Sequence, residues 1–136
     1  MSFANAIQAA IYTRLAAYTA LTSVVVGIYD EVPQATDSGA NSTYPYVTIG
    51  EDSITADSQD DAVGCQGSIV IHTWSRLKGR KQIKTIQGLI FDALSRHELS
   101  VTGYSMLTLE WDGEDSFIDA DGVTRHGVST FRILLA

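Results

Sequence analysis

The chain has almost no cysteine and no excess of positive charge, and each absence narrows what it can do. A single cysteine, Cys65, among 136 residues cannot form an internal disulfide and has no partner cysteines for a zinc site. It reads as an ordinary loop or strand-edge thiol. Nine basic residues stand against sixteen acidic ones, a net charge of -7, which disfavours tight nucleic-acid binding because phosphate contacts need a contiguous basic surface. No apolar run approaches the roughly 18 residues needed to span a bilayer, so no membrane is expected as a partner. The opening Met1-Ser2-Phe3-Ala4-Asn5 lacks the basic start and apolar centre of a signal peptide, and the expected compartment is the cytosol. No repeat, low-complexity tract or heptad is visible. What is present, 45% hydrophobic and 18% charged residues, fits a globular chain of one domain over residues 1–136.

The segment Gln66 to Leu94 carries the strongest pattern. Gly67-Ser68-Ile69-Val70-Ile71-His72-Thr73-Trp74 is rich in the β-branched and aromatic residues that suit a pleated, half-buried surface. After a basic stretch, Ile83, Ile86, Ile90 with Leu89, Ala93 and Leu94 fall on one helical face, and burying the large ones stabilises the fold by roughly 1.5–3 kcal/mol each. This helix is expected to close near His97-Glu98. A first helix is predicted from Phe3 to Tyr18, where Phe3, Ile7, Ile11, Leu15 and Tyr18 recur at helical spacing and Ser2 can cap. Val24 to Tyr29 reads as a short strand ending before Pro33. Gln34 to Thr43 reads as a mobile loop with almost nothing to bury.

Tyr44 to Glu51 is a second strand, with proline at its entry; Tyr46, Thr48 and Gly50 share one face, and Val47 and Ile49 the other. The acidic run Asp52 to Gly64 is either a loop or the arms of a long hairpin. Met106 to Trp111 alternates with Leu107, Leu109 and Trp111 inward. Ser116 to Asp119 and Val123 to Leu135 flank the turn Asp119-Ala120-Asp121-Gly122 as a hairpin. From residues alone this is an α+β chain.

No reactive cluster accompanies these elements. No Gly-x-Ser-x-Gly elbow or cysteine-protease signature surrounds a serine or Cys65. His72, in opposite phase to Ile71, reads as a structural or interface histidine; His97, in the last helical turn, faces the negative end of the dipole; His126 reads as an outward residue beside Arg125. The acids from Asp112 to Asp121 do not keep the register of a calcium loop, and the basic window has one glycine, Gly79, too few for a phosphate-cradling loop. Charge is nonetheless unevenly placed. Five of the nine basic residues, Arg76, Lys78, Arg80, Lys81 and Lys84, fall between 76 and 84, while Asp112, Glu114, Asp115, Asp119 and Asp121 crowd another stretch, a pattern suited to one basic and one acidic surface on the same subunit.

Taken in order, the helix Phe3 to Tyr18, the strand leading to Val32-Pro33, Tyr44-Pro45-Tyr46-Val47-Thr48-Ile49-Gly50-Glu51, and Gly67 to Trp74 with its Ser75-Arg76 exit and following helix resemble the tail-terminator or tail-completion proteins of long-tailed bacteriophages, including their counterparts in gene-transfer particles. The resemblance covers most of the chain. It implies a mainly antiparallel sheet with two principal helices packed on one face, and a homo-oligomer, a hexameric ring, that caps the tail tube protein and meets the head-connector protein. DNA would pass through the ring without specific binding; neither cofactor, metal nor catalytic residue is implied. Assembly would take place in the host cytoplasm, and the mature location would be the head-proximal end of the virion tail.

On this reading Arg76, Lys78, Arg80, Lys81 and Lys84 are candidates for an inter-subunit basic surface. Asp112, Glu114, Asp115, Asp119 and Asp121 are candidates for the lumen or its rim. The stretches Asp112 to Gly122 and Gln34 to Thr43 match nothing carried over from the family. Alternatives are a neighbouring stopper or adaptor protein of the head-tail connector, a small monomeric non-catalytic binding module, or a small enzyme with titratable groups converging in a pocket at His72 or His126.

Overall fold

The computed structural model describes residues 3–30, 44–56, 65–101 and 107–135. Ser2, the loop Gln34 to Thr43 and residues 57–64 of the acidic run lie outside the described residues.

Helix α1 (Phe3–Ala17) buries Ile7, Ile11 and Leu15 completely, as their four-residue spacing requires. It stops one residue short of the expected end. Tyr18 adopts an extended conformation (φ -84°, ψ 95°) and heads a separate turn, α2 (Thr19–Thr22), whose Leu21 is also buried. The strand expected from Val24 is shorter, β1 (Gly27–Tyr29), because the amides of Val24 and Val25 still bond back to the carbonyl of Leu21. Val24 and Val26 are left exposed.

Strands β2 (Tyr46–Ala56) and β3 (Cys65–Ser75) pair antiparallel to the register Ala56↔Cys65, with a bulge between Ile49 and Asp52. Of the two readings of Asp52 to Gly64, hairpin arms hold for Asp52 to Ala56. Cys65 is no edge thiol: it starts β3 on the core side and is fully buried. Helix α3 (Lys81–Leu94) buries Ile83, Ile86, Ile90, Ala93 and Leu94. It closes at Leu94, before the expected His97-Glu98, since Ser95 turns extended and Arg96 takes a φ of 61°. His97 is thus beyond the helix, yet its Nε2 lies 3.0 Å from the Asp92 carbonyl, a capping contact on the last turn.

After β4 (Glu98–Leu99), the two runs read from Met106 and Ser116 form one strand, β5 (Leu107–Ile118), with a bulge between Trp111 and Gly113. Asp112, Glu114 and Asp115 are therefore strand residues. The turn to β6 (Arg125–Leu135) is as expected: the Asp121 carboxylate accepts bonds from the amides of Val123 and Thr124 and the Thr124 hydroxyl, while Gly122 supplies a φ of 72°.

The sheet order is β1-β2-β3-β6-β5-β4, antiparallel except for β1 with β2. The fold is α+β, as expected, with the helices on one face. Val47, Ile49, Ile69, Ile71, Phe131, Ile133, Leu107 and Leu109 meet the buried faces of α1 and α3 in one core. Under the first turns of α3 the sheet becomes polar, with Thr73, Ser75 and Ser129 buried beneath a buried Gln87 whose amide donates to the Asp115 carbonyl. Trp111 departs from its expected place. It shares the helix face with its register partner Phe131, and Phe91 covers it edge-on, at 5.6 Å and 84°. It remains 42% exposed.

Candidate assembly surfaces

The open face of the sheet carries the alternate residues of the central strands. Because Tyr46 pairs with Trp74, Trp74 with His126 and His126 with Phe117, one row across β2, β3, β6 and β5 is aromatic. Trp74 stacks on the His126 ring at 3.7 Å and 13°, Phe117 meets the same ring at 4.9 Å, and Tyr46 packs against Tyr29, Tyr44 and Trp74. His126 is therefore not a plain outward residue: its side chain is only 13% exposed. Its cover comes from neighbouring strands and is invisible in its own segment.

Beside this row lies a chain of four ionisable groups. Glu51 Oε1 is 3.0 Å from His72 Nε2, His72 Nδ1 is 2.7 Å from His126 Nε2, and His126 Nδ1 is 3.6 Å from Asp119 Oδ1. Gly50 makes room for it, since a Cβ there would lie 2.5 Å from the His72 ring. Three contacts satisfied together need three protons on two rings, that is, one neutral imidazole and one imidazolium. A fourth proton would set N–H against N–H. Burial, then the nearby His72, lowers the pKa of His126, and the opposing attraction of Asp119 does not offset them. The hydrogen bond from His72 lowers that of Glu51. Carboxylates end the chain on both sides, and among the described residues neither hydroxyl nor thiol joins it, so it can hold or share a proton.

A depressed histidine pKa favours the neutral ring in the folded state, so its contribution to stability is present above the ordinary value of 6.5 and lost as pH falls through the folded value. We expect the melting temperature to fall between pH 7.5 and pH 5.5. His126→Phe keeps a flat ring against Trp74 without a titrating group, and its melting temperature should vary less over the same interval. An unchanged slope in the variant would remove His126 as the cause.

The structure separates the basic window into two parts. Arg76 is half-buried and engaged: Nε donates to Thr124 Oγ1 at 3.2 Å, the guanidinium lies 4.7 Å over the Tyr44 ring, and Nη2 is 3.9 Å from Asp121. It ties the exit of β3 to the β5–β6 turn. Lys78, Arg80, Lys81 and Lys84 are exposed, with no carboxylate within ion-pair distance among the described residues. They gather where α3 begins, a helix end without a side-chain cap bond or an acidic residue in its first turn.

The acidic set is also divided. Asp121 is held by the turn, and the Thr124 hydroxyl, then the amides of Thr124 and Val123, bring its pKa down to about 2. Asp119 faces His126. Asp112, Glu114 and Asp115 are exposed along β5, Asp112 lying 3.8 Å from Arg132 and Glu114 accepting a bond from the Trp111 indole. By register Asp115, opposite Val128, points to the open face, and Glu114, opposite the buried Ser129, to the helix face. The residues gathered by sequence thus form a strip along one strand and turn, with side chains on both sides. The Glu51-His72-His126-Asp119 chain was not legible as a unit, because it spans four segments whose register only the sheet supplies.

A family model described as "Tail completion protein gp17" matches residues 9–136. The tail completion protein gp17 of Bacillus phage SPP1 is 28% identical over 109 residues, 79% of this chain and 81% of that protein. A chain in the structure described as "Virion of native gene transfer agent (GTA) particle" shares the fold, with a TM-score of 0.86, 24% identity and 98% of both chains covered. The structure of the SPP1 gp17 protein superposes with a TM-score of 0.61 at 25% identity, covering 97% of this chain and 90% of that one.

Proposed function

Because the chain belongs to the gp17 tail completion family, we propose that it is a structural virion protein, one domain over residues 1–136, that forms a hexameric ring on the end of the tail tube and joins it to the head connector, with DNA passing through. The observation that carries this reading is the family match across residues 9–136. The layout supports it: helices cover one face of the sheet, the other bears a half-buried aromatic row, and exposed cations and exposed carboxylates are concentrated at separate places. Such a molecule offers surfaces for protein contact, which suits a function in assembly. It is made and assembled in the host cytoplasm and ends at the head-proximal end of the tail.

The basic group at the start of α3 meets carboxylates of a neighbouring subunit or ring, where complementary charge fixes register. The acids of β5 and its turn line the lumen or its rim. Light scattering should give a ring-sized mass that falls toward the 14.7 kDa subunit as salt rises from about 0.1 M, where charges act over about 10 Å, to about 1 M, where they act over about 3 Å. A monomer at every salt and protein concentration would end the ring reading. Particles assembled without the protein separate it from a connector role: loss of a cap leaves overlong, unjoined tubes, whereas loss of a connector leaves tails of normal length unjoined.

A further inference from the structure

The Glu51-His72-His126-Asp119 chain is tight in the middle and slack at one end. His72 Nδ1 and His126 Nε2 are 2.7 Å apart while their ring centres are 4.8 Å apart, so the two nitrogens lie nearly on the line joining the rings and point at each other. A metal ion on that line would need about 2.0 Å on each side, whereas the gap fits a single proton. At the slack end His126 Nδ1 stands 3.6 Å from Asp119 Oδ1, beyond the length of a good hydrogen bond. Between these two partners the His126 ring is held by its faces. Trp74 lies parallel to it at 3.7 Å and 13°, and Phe117 meets it at 4.9 Å and 62°. A parallel stack resists tilting more than sliding in the plane.

Asp119 is the fixed partner. Its amide donates to the Thr124 carbonyl and its own carbonyl accepts from the Gly122 amide, so the ring can close on the carboxylate more readily than the turn can close on the ring. The charges that act on His126 are His72 on β3, Asp119 on the turn and Glu51 on β2. Asp115 of β5 stands on the same face one register row away, opposite Val128, and Arg76 and Asp121 face each other across the turn. With one neutral ring and one imidazolium, the two carboxylates and single cation of the chain leave one negative charge beside the aromatic row.

We infer that His126 is an acid-operated latch with two positions, hooked to His72 while the facing nitrogens share one proton and closed on Asp119 once a further proton arrives. In the first position one side-chain chain crosses the open face from β2 to the β5–β6 turn. The further proton sets N–H against N–H, and the ring slides along Trp74 toward Asp119. The chain then divides into two ion pairs, Glu51 with His72 and His126 with Asp119. The side-chain link between β3 and β6 is lost, and the patch beside the aromatic row gives up its negative charge. Burial and His72 hold the His126 pKa below 6.5, which puts the changeover on the acid side of that value. Because the rings interact, they titrate as a pair in two macroscopic steps.

Nitrogen-15 NMR of the full chain reads the latch without any substitution. A scalar coupling through the hydrogen bond should join His72 Nδ1 to His126 Nε2, and it should vanish as acid carries the pair through its lower step. His97, outside the chain, should titrate in one step and serves as the reference. Substitutions give an independent measurement. In His72→Phe nothing repels the further proton, so the His126 midpoint should rise; in Asp119→Asn the second position lacks its charge, so the midpoint should fall. His126→Phe should leave His72 titrating in a single step. Absence of the coupling at every pH, or a His126 midpoint that ignores both substitutions, overturns the latch. A coupling that persists after His126 has taken up its proton overturns the movement between two positions.

Discussion

Gly67→Ala should melt roughly 10 °C below the parent chain, the effect of about 3 kcal/mol on a domain of this size. A methyl group there would lie 1.8 Å from the carbonyl oxygen of Ser53, 2.9 Å from its carbon and 3.0 Å from the Cα of Ile54. All three are backbone atoms, so no side chain can swing away. Relief requires β2 to move off β3 beyond the bulge, which breaks the pairing from Asp52 to Ala56. Forced overpacking costs about 1–3 kcal/mol, and each ladder hydrogen bond lost adds about 1 kcal/mol. Gly88, on the exposed side of α3, is the internal control: a Cβ there meets nothing within 4 Å, so Gly88→Ala should raise stability by about 0.5–1 kcal/mol through helix propensity alone. Thermal melts of both variants decide the matter. A Gly67→Ala protein that melts with the parent would mean that β2 and β3 do not approach as closely as described.

Gly67 also shows where reading the sequence stops. As one residue of a β-rich run it carried no sign of a close crossing, because the crossing is made by the backbone of the partner strand at Ser53 and Ile54. Patterns confined to one element were legible. The spacing of Ile83, Ile86, Ile90 and Leu94 marked the buried face of α3, the phase of His72 against Ile71 placed them on opposite faces of β3, and Asp119-Ala120-Asp121-Gly122 marked the turn before β6. What depends on register across strands was not. His126 looked like an outward residue until Trp74 was placed beside it, and the exposure of Trp111 follows from where α3 ends, not from its own alternation. Elements also ended where a backbone bond was reused: β1 starts late because Leu21 still accepts the amides of Val24 and Val25. The same limit applies to the charges, for Arg76 counted with four other cations in sequence but is spent on Thr124, Tyr44 and Asp121 in the fold.

Replacing Asp112, Glu114 and Asp115 together by lysine should leave tails that form but deliver DNA poorly, with transfer reduced by about tenfold or more given the strength of phosphate–lysine attraction. DNA carries about one negative charge per 1.7 Å of its axis. An acidic wall therefore repels it uniformly and lets it slide, whereas lysines release its counterions and hold it. These three acids suit the experiment because they are exposed on β5 and, unlike Asp119 and Asp121, hold neither the histidine chain nor the turn. Their losses to the fold are small surface contacts: Asp112 with Arg132 at 3.8 Å and Glu114 with the Trp111 indole at 3.3 Å, each worth at most about 1 kcal/mol. The substituted protein should thus melt near the parent and still assemble. Raising salt should recover part of the lost delivery, since screening weakens lysine–phosphate contacts. Arg132→Ala sets a bound on the trivial explanation, because it breaks the Asp112 contact without adding positive charge, and it should deliver DNA normally. Normal delivery by the triple variant, or a map of assembled tails that puts β5 on the outer wall, would move these acids away from the DNA path even if the ring itself holds.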